Sequence, residues 1–320
     1  MKRPDPFILG ILAALVIGLL WPAPEAFREV IDKLGDIMVA VLFLLYGMRL
    51  RTGEVMRGLT NVRVQGLIFT ATYIIFPLLG LATYASLAGL LGEQFARGIL
   101  YLSLLPSTVQ SSVTFTSIAR GDTAAAVCAA TFSNVIGMFL TPAWVVLAMH
   151  EDSVGAGSMT QVLTHLLLPF IIGQLLQKNP GERLRRHPKA VRAVDQTTII
   201  IIVLGAVMDA TSVGVWSGVR LVELVSLLVV SGALLAIMLF VTWFSAKAVG
   251  CDRGGQIAVL MCGSKKSLAT GLPMAQAMFP PAVLGAIAVP VIIFHQLQLL
   301  VCAYLAARLG RDEPRTLPLD

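Results

Sequence analysis

Apolar runs of roughly 20 residues, parted by short polar or charged stretches, recur along the whole chain, and this recurrence limits the fold more than any motif does. A helix of that length spans about 30 Å, the thickness of a bilayer's hydrocarbon core. Ten such runs fall at residues 7–21, 31–48, 64–91, 98–118, 124–149, 160–176, 194–214, 221–248, 256–278 and 282–307. Hydrophobic residues make up 57% of the chain and charged ones 13%. Soluble domains carry about 25% charged residues, so too little polar surface remains here to cover a body in water. The reading is an all-α polytopic membrane protein whose first partner is the lipid bilayer.

The first run also admits reading as a secretory leader, because Lys2 and Arg3 precede it and Ala23-Pro24-Glu25-Ala26 follows it. Asp5, Pro6 and Pro22 fit a leader poorly, and a later recurrence of the segment places it in the mature fold. Orientation follows from the basic residues, which cytoplasmic loops retain. With both ends on one side, eighteen of the 24 Lys and Arg residues fall on that side, four (Arg28, Lys33, Arg97, Arg220) on the other, and Lys265 and Lys266 inside a span. Both termini are thus expected in the cytoplasm, with the chain in the inner (plasma) membrane. The net charge of +6 and the run from Arg183 to Arg192 read as a topology signal and a lipid-facing surface, with no nucleic-acid partner.

Pro6-Phe7-Ile8-Leu9-Gly10 recurs as Pro169-Phe170-Ile171-Ile172-Gly173, and Asp32 matches Asp195 at the same offset of 163. Gly98 and Gly255, like Ser107 and Ser264, are 157 apart. Two halves, 1–153 and 154–320, each with five spans, must lie inverted to one another. Many secondary transporters are built this way, with their sites at the midplane where helices are broken.

Two spans fail the apolar pattern in their middles. Span four reads Leu105-Pro106-Ser107-Thr108-Val109-Gln110-Ser111-Ser112, and span nine reads Met261-Cys262-Gly263-Ser264-Lys265-Lys266-Ser267. Proline or glycine there frees backbone groups that hydrocarbon cannot satisfy, so both breaks must be buried in protein or line a wet cavity. Their hydroxyls also suit plain helix packing. Two adjacent lysines at mid-depth are harder to absorb, since each costs about 2.5–3.5 kcal/mol at a helix centre. They need water, an anion or a carboxylate. One is expected to face the site and the other to find a separate partner, because neighbours on a helix point about 100° apart. Acids are few, Asp209 near the outer end of span seven, Glu223 at the start of span eight and Asp122 after span four, and none sits clearly at mid-depth; Asp122 and Asp209 are the candidate charge partners. His295, Gln296 and Gln298 in span ten, and Thr131, Ser133 and Asn134 in span five, add polar groups at repeat-related positions. A net positive midplane suits a small anionic solute, or a lysine whose proton is exchanged.

Cys128, Cys251, Cys262 and Cys302 have no paired spacing that implies a disulfide or zinc site. Gly263-Ser264-Lys265-Lys266-Ser267 lacks the upstream glycine of a phosphate loop, so no ATPase engine is encoded. Only a speculative intramembrane Ser/Lys hydrolase is left as an enzyme reading, and the chain is read as no enzyme.

At these residues the sequence resembles the bile acid:sodium symporter superfamily, in particular its bacterial branch related to the seventh member of the human solute carrier family 10. The resemblance runs from Asp5-Pro6-Phe7 to Phe294-His295-Gln296-Leu297-Gln298-Leu299 and is most specific at 105–112, Asp195-Gln196-Thr197 and 262–269. It implies ten helices in a panel domain (spans one, two, six, seven) and a core domain (three to five, eight to ten), with broken, crossing helices four and nine and alternating access. Sodium-coupled members resembling this fold carry a glutamate and a Gln-Asn pair where this chain has Met261 and Lys265-Lys266. Hydroxyls that ligate sodium in span five fall here on Ala126 and Ala130, while Ser111 and Ser112 remain as the sodium candidates. Ammonium groups disfavour a bound cation by Coulomb repulsion. The expectation is therefore a secondary transporter of an organic anion, sodium-independent or proton-linked, with a lysine in the space of one sodium ion and no cofactor unless sodium itself. A sodium-coupled organic anion symporter and a membrane sensor that moves nothing are the alternatives. The residues fix neither the solute nor an oligomeric state.

Overall fold

The computed structural model describes residues 6–49, 61–149 and 163–311, and among them every regular element is helical. α1 (Pro6–Leu20) and α2 (Glu25–Arg49) are followed by α3 (Val62–Leu91), which is continuous through one π-helical turn, Ala71–Ile75. α4 (Glu93–Leu104) and α5 (Gln110–Ile118) are the two halves of a broken helix, and α6 is Thr123–Met149. A π turn at Leu163–Leu167 leads into α7 (Leu168–Leu175); a short α8 (Asn179–Arg185) and α9 (Pro188–Ser212) follow. After a 3-10 turn at Val215–Gly218 come α10 (Leu221–Ala248), the second broken pair α11 (Arg253–Gly263) and α12 (Leu268–Met278), and α13 (Pro281–Arg311).

Helices α3, α6, α9, α10 and α13 are long and apolar enough to cross a membrane. The radial distribution of side chains agrees with a lipid solvent. Leu12, Val229, Phe240 and Leu300 point outward at 52%, 64%, 62% and 71% exposure, while Thr72, Ser103, Ser107, Ser112 and Ser264 are fully buried. In water that arrangement would waste about 25 cal/mol for each Å² of exposed apolar surface; against lipid tails it wastes none. The chain is a membrane protein.

Helices α1, α2, α7 and α9 pack on one another, α1 along α9 and α2 between α7 and α9. Helices α3 to α6 and α10 to α13 pack around α4 and α11, and α9 meets this second group at α12 and α13. Closest approach within the first group comes where α2 and α7 cross: a Cβ on Gly173 would sit 3.0 Å from the Cα of Gly47. Small residues at such crossings give backbones the dispersion contact that holds helices together in lipid.

The apolar runs foreshadow these elements closely, and spans four and nine are broken into two helices each, as expected. Helices α2 and α9 each start six positions before their apolar runs, at Glu25 and Pro188; Glu25 suits the positive end of the helix dipole, and Pro188 is preorganised for a first helical turn. The 153/154 boundary, Lys2, Arg3, Asp5 and residues 160–162 of the sixth run lie outside the described residues.

Candidate functional site

Pro106 ends α4. It has no N–H to return to Leu102, and the next donor, the N–H of Ser107, goes to Ser133 Oγ on α6 at 3.0 Å, not back to Ser103. The carbonyls of Ser103 and Leu105 are thereby left without helical partners. Helix α3 frees a third carbonyl. In its π turn the N–H of Phe76 bonds to Ala71 O; the next rung would run from residue 77 to Thr72 O, but residue 77 is proline.

Lys266 collects all three. Its Nζ donates to Thr72 O at 2.8 Å, Ser103 O at 2.7 Å and Leu105 O at 2.7 Å. An ammonium has three N–H donors, so each meets one orphan carbonyl, and the Phe76 ring lies 4.4 Å from the nitrogen. Two of the carbonyls are at the C-terminal end of α4, where the helix dipole favours a cation.

Lys265, its neighbour, is just as buried and has far less. Its Nζ reaches Ser111 Oγ at 3.5 Å and sits 4.6 Å from the Phe115 ring centre. Among the described residues no carboxylate lies within ion-pairing distance of either lysine. Lys266 is thus fully partnered, whereas the Lys265 ammonium has one long hydroxyl contact and one aromatic face. The carboxylates named as candidate partners have other tasks. Asp122 caps α6 through the Ala125 N–H at 2.9 Å, and Asp209 pairs with Arg28 at 2.9 Å. Both lie at helix ends, out of reach of a mid-helix break.

The two breaks touch directly. Ser267 N–H donates to Pro106 O at 2.8 Å, Ser107 Oγ to Cys262 O at 2.5 Å, and Ser112 Oγ to Met261 O at 2.9 Å. Thr108 Oγ1 lies 2.7 Å from Ser111 Oγ and 3.0 Å from Ser112 Oγ, forming a cluster of hydroxyls beside Lys265. Ser264 Oγ bonds back to Leu260 O at 2.6 Å, and Ser267 Oγ caps α12 by accepting from Thr270 N. Gly263 serves packing, since a Cβ there would meet Thr242 Cγ2 at 2.9 Å.

Each break is also clamped by the helix that follows it. Asn134 Nδ2 donates to Ser107 O at 2.7 Å beside the Ser133 bond already described. Gln298 Oε1 accepts from Lys266 N at 2.9 Å while its Nε2 donates to Lys266 O at 2.8 Å and to His295 Nδ1 at 2.8 Å. Thr131 and Gln296 make no side-chain hydrogen bond to either break, and Gln110, with its amide turned to present oxygen, accepts from Arg192 on α9 at 3.0 and 3.2 Å. Gln298, Ser133 and Asn134, all among the polar groups the sequence singles out in spans ten and five, are the clamps. Residues two positions apart on a helix point about 200° apart, so polar composition narrows such a choice to a cluster but not to one side chain. Thr72 and Pro77 carried a signal that went unread: a proline in the middle of an apolar span announces a free carbonyl several positions earlier.

Apolar helices interrupted where polar side chains meet, and packed around those interruptions, are the construction of membrane solute carriers. The chain belongs to the SBF-like CPA transporter family, whose model matches residues 5–311. It is 38% identical to an uncharacterized protein of Pseudomonas aeruginosa and 37% identical to "Putative symporter YfeH" of Escherichia coli K12, over 96% of this chain and 93% of each relative. Sodium/bile acid cotransporter 7 of Danio rerio is 26% identical, over 93% of this chain and 91% of that protein. The protein is thus a membrane transporter of the bile acid:sodium symporter type.

Proposed function

We propose that this chain is a secondary active transporter of an organic anion that works by alternating access without needing sodium. One observation carries the reading: the Lys266 ammonium occupies a cage of three carbonyls, so a fixed positive charge already stands between the two breaks. The Lys265 ammonium beside Ser111 places a second positive charge next to the hydroxyls that are the sodium candidates, which opposes a metal cation and favours an anion. Lys265, Ser111, Thr108 and the N-terminal end of α12 are the groups an anionic headgroup would meet.

The architecture belonging to this reading is ten spans in two inverted halves, 1–153 and 154–320, with both termini cytoplasmic in the inner membrane. The panel is α1, α2, α7 and α9, and the core is the remaining spans. Support comes from the pairing of α1 with α9 and of α2 with α7, and from breaks that recur at repeat-related places. Movement of panel against core exposes the crossed breaks alternately to either side.

Purified protein is first screened by thermal shift against steroid, sulfonate and carboxylate anions, because a ligand that binds the folded state raises its stability by mass action. The best anion is then used for uptake into proteoliposomes with and without a sodium gradient. Equal uptake is expected in both. Strict sodium dependence that persists in Lys265→Gln and Lys266→Gln would sink the proposal in favour of a sodium-coupled symporter, the activity in the name of the Danio rerio relative. Saturable binding with no flux would mark a sensor.

A further inference from the structure

Away from the crossed breaks, a cavity of about 310 Å³ opens between α2, α9, the end of α12 and the start of α13. Asp32 and Asp36 on α2, His165 before α7 and Gln276 on α12 supply its polar lining. Gly205 on α9 leaves room for Asp32, since a Cβ there would come within 3.1 Å of Asp32 Oδ1. Arg28 lies one turn before Asp32 on α2 and Asp209 one turn after Gly205 on α9; Arg28 reaches Asp209 at 2.9 Å while Asp32 faces Gly205, so the two carboxyls share one face of the α2–α9 seam.

The hydrogen bonding around this pair is incomplete: Asp209 Oδ2 and Arg28 Nε are both buried without a partner among the described residues. Asp209 is 5% exposed; its Oδ1 accepts from Arg28 Nη1 at 2.9 Å, while its Oδ2 is buried with no donor among the described residues. Gln276 Nε2 donates to Asp36 Oδ1 at 3.0 Å and to the main-chain oxygen of Asp32 at 3.3 Å, so it serves neither carboxyl of the pair. The charged and titratable groups facing the pair are Arg28 and Asp36 from α2 and His165 from the turn before α7; α12 and α13 bring only the neutral Gln276 to the cavity. Ionised carboxylates are acceptors only. With both ionised, the seam sets acceptor against acceptor beside a single guanidinium. One proton turns it into a donor–acceptor pair and satisfies the orphan oxygen.

We propose that Asp32 and Asp209 form a one-proton site opening on this cavity, and that its proton is the ion the transporter exchanges with solution. The second clause rests on the transport reading above; the first does not. In the step itself, hydronium or a buffer acid in the cavity gives a proton to a carboxylate oxygen of Asp32: the donor's bond to that proton breaks, leaving water or the buffer's conjugate base, and the new O–H on Asp32 donates to Asp209 Oδ2. The net charge of Arg28, Asp32, Asp36 and Asp209 goes from minus two to minus one. At an offset of 163 the equivalent neighbours are Asp195 and Tyr46, so the carboxyl pair has no counterpart there.

Infrared difference spectroscopy of the full chain in lipid nanodiscs tests the site. A protonated-carboxyl carbonyl band is expected at mildly acid pH, where exposed carboxylates are already ionised; it is lost on alkaline titration, absent from Asp32→Asn and from Asp209→Asn, and intact in Asp36→Asn. Wild-type melting temperature is expected to fall as pH rises through the same titration, a readout that needs no variant to fold. Absence of the band, a band that persists in both Asn variants, or a melting temperature flat through the range overturns the proposal. Loss of the band at constant pH on adding sodium or potassium chloride also overturns it, because the pair would then hold a metal cation. A band that titrates in a protein that carries no anion refutes the transport reading and leaves the proton site; proton-driven uptake without the band does the reverse.

Discussion

The break at residues 105–109 is closed by neutral groups, Ser107 with Ser133 and Asn134, whereas the break at 264–267 adds two lysines to the same frame. Both lose helical hydrogen bonds in their middle, and in both the following helix supplies a polar clamp. What separates them is charge. The first break ends in free carbonyls at the C-terminal end of α4, and the second supplies the cation those carbonyls accept. One break is therefore the ligand set and the other the tethered ion, and the second would have an unpaired charge without the first.

Removing the tether is the most severe way to break this relation. Lys266→Met leaves three buried carbonyls unpaired at about 1–3 kcal/mol each, so a loss of at least about 3 kcal/mol is expected, read as a lower melting temperature and poor monodispersity. The clamps come next. Gln298→Leu removes both bonds to the Lys266 backbone and is expected to cost about 2–3 kcal/mol, against about 1–2 kcal/mol for Asn134→Leu, compared in one denaturation series. Lys265→Met is expected to change stability by less than about 1 kcal/mol, because the lost Ser111 contact and Phe115 ring contact are offset by removal of a buried charge, yet to abolish stabilisation by anions in a thermal-shift assay. Equal costs for the two lysines would end the distinction between tether and ligand group. The smallest effect is expected from Pro77→Ala: the restored N–H competes with Lys266 for Thr72 O while the helix gains a rung, for a net change within about 1 kcal/mol.

Much of this was legible beforehand. Runs of apolar residues placed the helices, and Pro106 and Gly263 to Lys266 marked both breaks, because hydrocarbon tolerates neither a free backbone group nor a charge without compensation. Residue type and spacing leave open which of Lys265 and Lys266 is partnered, and they mark His295, Gln296 and Gln298, and Thr131, Ser133 and Asn134, only as groups. They also assign Asp122 and Asp209 to the lysines, although one is a helix cap and the other bonds Arg28. Scarcity of mid-depth acids made those two the natural candidates; what escaped notice is that backbone carbonyls can do a carboxylate's work when a proline and a helix end release three of them together.

The sequence by itself determined the solvent, the number of apolar runs, the places where the helices fail and the need of two ammonium groups for compensation. These follow from local chemistry, from residue type and spacing along one strand of chain. Only the tertiary structure decided which ammonium is satisfied, by which atoms, and that Arg28 on α2 meets Asp209 on α9. A break resets the angular phase of the helix that follows it, so the direction of a side chain beyond the break depends on how distant helices cross, and residues 72, 103, 105 and 266 meet at one point only after they have done so.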